Sequence, residues 1–344
     1  MSLALPSLPP QPADAPWPTS EWSLGEVDET ALAPLLAEAF GPAPLAELGE
    51  THAVVVIHRG RLVLERYGPG YGPNVTCHSW SMAKSVTHAL VGLAVADGRV
   101  DVHAPAPVPA WRGADDPRGA ITLDHLLRMS SGLAWVEDYE PDHPSDVVDM
   151  LFGGGQGDVA AFAETKSLAH PPGTHFYYSS GTTNIICAAL ARALGLNGDG
   201  FLAFMRERLF APLGMGSPEP RFDKAGTFIG SSFCFSTPRD FARFGLLYLR
   251  DGIWEDRRLL PPGWVDYART PTFQQPGGEI DGPYGAHWWI DRAGPGSFSA
   301  CGYEGQHIAI RPDRDLIVVR SGATPLETVD AVKTWVARLA AALI

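Results

Sequence analysis

Lysine is scarce in this 344-residue chain: Lys84, Lys166, Lys224 and Lys333 are its four, and every other permanently basic residue is arginine. Cysteine is as rare. Cys77, Cys187, Cys234 and Cys301 lie far apart, with no C-x-x-C pair and no Cys/His spacing of a zinc site. The eleven histidines include no H-E-x-x-H or similar cluster, so metal catalysis is not expected. Gly155 to Ala160 matches G-x-G-x-x-A in form, but no βαβ pattern surrounds it; the segment reads as a loop, and no cofactor is implied. Acidic residues outnumber basic ones, giving a net charge of -13 and a pI near 5.2. Phosphates would be repelled, which argues against nucleic acid and anionic membrane surfaces as partners. No run of about 18 apolar residues occurs, nor a charged start followed by an apolar stretch. The expectation is a soluble, cytoplasmic protein with buried thiols rather than disulfides.

With 45% hydrophobic and 19% charged residues, the chain can bury a large core. Residues 1–20 carry Pro6, Pro9, Pro10, Pro12, Pro16 and Pro18, too many for a helix or central strand, and read as a tail or surface strap. A helix is predicted from Glu29 to Phe40. Strand-like runs Ala53 to His58 and Arg61 to Tyr67 flank Arg59-Gly60 as a hairpin. Further helices are predicted from Ile121 to Met129 with Thr122 as N-cap, around Ser145 to Phe152, from about Thr183 to Leu194, and from Pro238 to Leu249 behind Thr237. Tyr284 to Ile290, His307 to Arg311 and Leu316 to Arg320 alternate like strands, and a terminal helix spans about Leu326 to Leu343. The first and last segments would pair in one antiparallel sheet flanked by the terminal helices, an α/β (α+β) arrangement. Residues 21–344 then form one unit, with an α/β part over about 21–78 and 225–344 and a helical part over about 79–224.

At the junction lies Ser81-Met82-Ala83-Lys84, followed by an apolar helical pattern through Ala96, with Ser79 as its expected N-cap and Gly98 as its stop. Ser81 and Lys84 are one turn apart and share a face. An isolated Ser-x-x-Lys arises by chance in about one such chain in four, and a lysine merely paired with a carboxylate is the plain alternative. Yet only lysine, unlike arginine, can lose its proton when desolvated and act as a base.

Four features in order resemble the serine β-lactamase-like hydrolases, meaning class C β-lactamases and their esterase, D-aminopeptidase and 6-aminohexanoate-oligomer hydrolase relatives. Ser81-x-x-Lys84 is similar to the nucleophile motif. Ile121-Thr122-Leu123 through Ser131-Gly132-Leu133 resembles a second conserved stretch, and Pro172-Gly173-Thr174 leading to Tyr178-Ser179-Ser180 resembles the tyrosine motif. Ala300-Cys301-Gly302 stands where the third motif falls. The resemblance spans about Thr51 to Ala340 and implies a β-lactamase/transpeptidase-like fold. Tyr-x-Ser replaces the usual Tyr-x-Asn, and the third motif lacks the cation that binds a β-lactam or peptide carboxylate. Both departures look like the esterase and 6-aminohexanoate-oligomer hydrolase branch, as does Glu137-Asp138-Tyr139, a loop whose tyrosine closes over substrate there.

The resemblance implies a serine hydrolase of small esters or amides, with Ser81 as nucleophile and Lys84 and Tyr178 sharing the acid-base work. Backbone N–H groups of Ser81 and Tyr303 would form the oxyanion hole. Tyr139, Ser180, Cys301 and Gly302 would contact substrate. Trp80, Trp135, Trp288 and Trp289 either line an acyl pocket or pack in the core, and the loops 135–144 and 274–285 would shape that pocket. Esterase activity is the first expectation, a 6-aminohexanoate-type amidase the second, then β-lactamase or D-aminopeptidase; a silent binding module is the rival. A homodimer is the one protein partner considered.

Overall fold

The computed structural model describes residues 5–140, 143–273 and 282–343. Most of the predicted pocket loop 274–285, and residues 141–142 of the loop 135–144, lie outside the described residues.

Along the chain, helix α1 (Glu29–Phe40) is followed by strands β1 (Glu50–His58) and β2 (Arg61–Tyr67). Arg59 (φ 49°) and Gly60 (φ 72°) turn them in the left-handed conformation that a tight hairpin requires. Then come α2 (Ala83–Ala96), α3 (Leu123–Leu127), α4 (Asp146–Phe152), α5 (Val159–Glu164), α6 (Ser180–Leu194) and α7 (Gly198–Met205). Short pairs β3 (Glu219–Pro220) with β4 (Cys234–Phe235), and β5 (Ile253–Trp254) with β6 (Arg257–Arg258), bracket α8 (Pro238–Leu249); α9 (Trp264–Ala268) follows. Strands β7 (Trp289–Ile290), β8 (Phe298–Gly302), β9 (Gln306–Arg311) and β10 (Leu316–Ala323) lead to the terminal helix α10 (Val329–Ala342).

Six strands form one antiparallel sheet in the order β2-β1-β10-β9-β8-β7. Because side chains alternate across a strand, each central strand feeds two cores. Val54, Val56, Ala309 and Val318 pack with Leu32 of α1 and Trp335 and Leu339 of α10. Val55, Ile57, Ile308, Ile310 and Val319 face the opposite way, into the larger core with α2, α6 and α8. This is the β-lactamase/transpeptidase-like architecture that the sequence predicts.

Several boundaries differ from expectation for identifiable reasons. Ser79 does not cap α2: its backbone is right-handed helical and its hydroxyl instead donates to Trp80 and Ser232 carbonyls while accepting from the Cys234 N–H. The helix begins through a 3-10 turn at Trp80–Met82, and Gly98 (φ 66°) stops it as expected. The strand predicted from Tyr284 to Ile290 shrinks to Trp289–Ile290, because Ala286 and His287 donate their N–H groups to Ala268 and Leu127 rather than to a strand. The stretch Gly155 to Ala160 is a turn only as far as Asp158, which caps α5 and so places Val159 and Ala160 in a helix. The proline-rich start, from residue 5, is a strap: Arg250 donates to Pro9 O and to Gln11 Oε1, and Arg243 to Pro18 O. Among the described residues no single helix is long and apolar enough to cross a membrane.

Candidate active site

Helix α2 is buried over most of its length, and Lys84 in its first turn is 1% exposed. Its Nζ lies 2.9 Å from Ser81 Oγ, 3.0 Å from Ser180 Oγ and 2.9 Å from the Ser231 carbonyl. An ammonium has three protons, and each has an acceptor here. Loss of one proton reverses the Ser81 contact, so that the hydroxyl donates to the amine. Burial favours that loss and draws the Lys84 pKa down to about 8, against the opposing charge of Glu137.

Tyr178 sits just before α6, with its ring centroid 4.8 Å from Lys84 Nζ. The ring stacks on Trp289 at 5.5 Å and meets the edge of Tyr284 at 5.8 Å. Burial, then the Glu137 charge, push its phenol well above the usual tyrosine range, and the Ser81 hydroxyl offsets only part of that rise. Tyr178 therefore holds its proton more tightly than Lys84 does.

The segment feeding α6 explains why Ser180 reaches Lys84. Ser179 is the N-cap, accepting from the Thr182 N–H at 3.1 Å, so the helix starts at Ser180 rather than at Thr183 as predicted. Ser180, fully buried, donates its hydroxyl to Glu137 Oε1 at 2.5 Å and its N–H to Glu137 Oε2 at 2.8 Å. The same carboxylate accepts from Trp135 Nε1 at 2.6 Å and from the Tyr139 hydroxyl at 2.7 Å. Glu137 thus gathers four donors and links the Tyr139 loop to the Lys84 amine through Ser180. Sequence reasoning named Glu137 only as part of that loop; its partner Ser180 is 43 residues away, and no local pattern signals the pairing.

Strand β8 forms the opposite wall. Gly302 is pressed so closely on the Ser81 turn that a Cβ there would lie 2.4 Å from Ser79 O and 3.1 Å from Trp80 Cβ. Tyr303 follows directly, its ring 5.2 Å from that of Tyr139 and 5.3 Å from that of Trp80. Cys301 is half-buried, its Sγ 3.5 Å from His307 Nδ1, and its charge, were it ionised, would act on Tyr178. Ser81, Lys84, Tyr178, Ser180, Tyr139, Gly302, Tyr303 and Cys301 are therefore brought to one place. Of the tryptophans, Trp135 and Trp288 are core residues, whereas Trp80 and Trp289 are partly exposed beside the site.

A family model described as Beta-lactamase matches residues 48–343. The chain belongs to the beta-lactamase family. It is 26% identical over 301 residues, 80% of its own length and 73% of the other's, to the 6-aminohexanoate-dimer hydrolase of Paenarthrobacter ureafaciens. Among solved structures, one from Bacillus anthracis named for 6-aminohexanoate-dimer hydrolase superposes with a TM-score of 0.74 at 22% identity, covering 99% of this chain and 90% of that one. A penicillin-binding protein homolog from Caulobacter crescentus gives 0.70 at 16% identity over 93% and 99%. The structural likenesses establish the shared fold, and with the family match they place this beta-lactamase-family chain among the hydrolases.

Proposed function

We propose that this beta-lactamase-family protein is a serine hydrolase that cleaves small carboxylic esters or amides through an acyl-enzyme on Ser81. The observation that carries the reading is the buried Lys84 amine, 2.9 Å from Ser81 Oγ and with its pKa drawn down to about 8. Neutral Lys84 accepts the Ser81 proton as Oγ attacks the carbonyl carbon. The negative charge on the former carbonyl oxygen is met by the N–H groups of Ser81 and Tyr303. The tetrahedral intermediate collapses when the departing alcohol or amine takes a proton, supplied by the Tyr178 phenol and replenished from Lys84. A water molecule then repeats the sequence on the acyl-enzyme and frees Ser81. Tyr178, with its raised pKa, suits the donor's part better than the base's.

Ester cleavage is the leading reading, because an alkoxide leaves with little help. A linear amide of the 6-aminohexanoate kind is the second, favoured by the 26% identical relative and by the Tyr139 loop tied to Ser180 through Glu137. The test is product release, with intact-protein mass, after brief exposure to a p-nitrophenyl ester, a 6-aminohexanoate dimer or a penicillin. Release from the ester or the dimer should vanish in Ser81→Ala, with a trapped adduct on Ser81 in the unsubstituted protein. Penicillin should react poorly, since Ala300-Cys301-Gly302 carries no cation. Hydrolysis that survives Ser81→Ala would overturn the mechanism and return the silent binding fold to consideration.

A further inference from the structure

The residue before Ser81 and the residue after Tyr303 both hold left-handed backbone although neither is glycine, Trp80 at φ 43° and Glu304 at φ 60°. Such conformations cost of order 1 kcal/mol or more outside glycine and persist only where the surroundings enforce them. The side chains meet: Trp80 Nε1 donates to Glu304 Oε2 at 2.8 Å.

Both ends of this contact are anchored. The Trp80 indole lies against His78 at 4.0 Å and against Tyr303 at 5.3 Å between ring centroids. The Glu304 carbonyl accepts from Arg320 Nη1 at 2.9 Å and from the Thr324 N–H at 3.2 Å. Arg320, on β10, is itself fully buried and also bonds the Leu48 carbonyl, the Thr51 hydroxyl of β1 and the Thr324 hydroxyl, which fixes the turn to β1 and β10. Gly302 lets the two backbones touch.

We infer that the Trp80–Glu304 hydrogen bond is a clamp that sets the spacing between the Ser81 and Tyr303 N–H groups, making Trp80 and Glu304 positioning residues for the oxyanion hole. This rests on the serine-hydrolase reading above. The clamp has no direct contact to make with substrate in order to work. It joins the 3-10 turn before α2, which carries one donor, to the turn after β8, which carries the other, and a backbone donor that drifts by about 1 Å loses much of its effect on the transition state.

The experiment compares Trp80→Phe, Glu304→Ala, Glu304→Gln and the Trp80→Phe/Glu304→Ala pair with the unsubstituted protein. It measures ester hydrolysis, affinity for phenylboronic acid, which forms a tetrahedral adduct on the serine, and melting temperature. Trp80→Phe and Glu304→Ala should each lower kcat by about 10- to 100-fold and weaken boronate affinity in parallel, with KM nearly unchanged. The pair should be no worse than either single change. Glu304→Gln, which keeps an acceptor oxygen, should restore most of the rate. A lowered melting temperature with kcat and boronate affinity within about twofold of the parent would overturn the clamp while leaving the hydrolase reading intact. So would losses that multiply in the pair, or a loss confined to KM. If the unsubstituted protein shows neither Ser81-dependent hydrolysis nor a boronate adduct, the hydrolase reading fails and the clamp falls with it.

Discussion

The lysine in the first turn of α2 decides how the site responds to pH. A buried amine with its pKa near 8 is mostly charged at neutrality, and only its neutral form can take the Ser81 proton. Hence kcat/KM for an ester should rise as pH increases through about 8, the direction opposite to that of a carboxylic general acid. Glu137 shapes this limb, because its negative charge favours the ammonium and holds the Lys84 pKa up. In Glu137→Gln the rise should move to lower pH, by about one unit, while the maximal rate falls because an amide has one acceptor oxygen and cannot serve all four donors that the two carboxylate oxygens serve. A limb that stays in place in a stopped-flow pH series would mean that the titrating group is not Lys84. The residues legible in the sequence were those whose partners are near in the chain or belong to a known motif. Glu137 and Glu304 were not, since their contacts with Ser180 and Trp80 span 43 and 224 residues.

At the level of elements, the site depends on how α2 is wedged in the core. Gly92 is the place where the indole of Trp264 meets the helix: a Cβ there would sit 2.4 Å from Nε1 and 2.8 Å from two ring carbons. Two effects compete in Gly92→Ala. Alanine gains about 1 kcal/mol of helix propensity over glycine, whereas forcing a methyl group into a packed aromatic costs about 1 to 3 kcal/mol. The ring is boxed by His88 at 4.7 Å and Tyr267 at 5.0 Å, so it has little room to yield. Net destabilisation of up to about 2 kcal/mol is expected in urea melts, and a more stable variant would show that α9 can move aside. Helices with a capping residue and a clean apolar period were readable: α1 and α8 run between their predicted ends, and Thr122 caps α3 with His125 returning the bond. Reading failed where tertiary hydrogen bonds override alternation. The strand predicted from Tyr284 holds only at Trp289–Ile290, because His287 has φ 58° and its N–H goes to α3. Strand β8 is short and rich in small residues, and only the position of its motif Ala300-Cys301-Gly302, not the strand itself, was read from the sequence.

Across the whole molecule, histidines that folding buries uncharged tie elements of the larger core to one another. His287 bridges Thr183 of α6 at 3.0 Å and the Leu127 carbonyl of α3 at 2.8 Å, and burial lowers its pKa to about 3. His307, on β9, is likewise lowered to about 3 by burial, and His88, bonded to Tyr248 at 2.7 Å, is lowered well below the usual range. A group whose pKa is depressed on folding binds its proton only in the unfolded chain between the two values. Stability is therefore intact above about pH 6.5 and is lost as pH falls below it. Each such histidine steepens the decline by about 1.4 kcal/mol per pH unit once the unfolded imidazole is charged. Carboxylates held low by arginines, such as Asp97 beside Arg208 and Asp313 beside Arg311, add their own acid sensitivity only below the usual carboxylate range. The interval between pH 6.5 and 5 thus isolates the histidines. Urea midpoints should fall steeply across it, and a flat profile there followed by loss below pH 4.5 would assign the acid limit to the ion pairs instead.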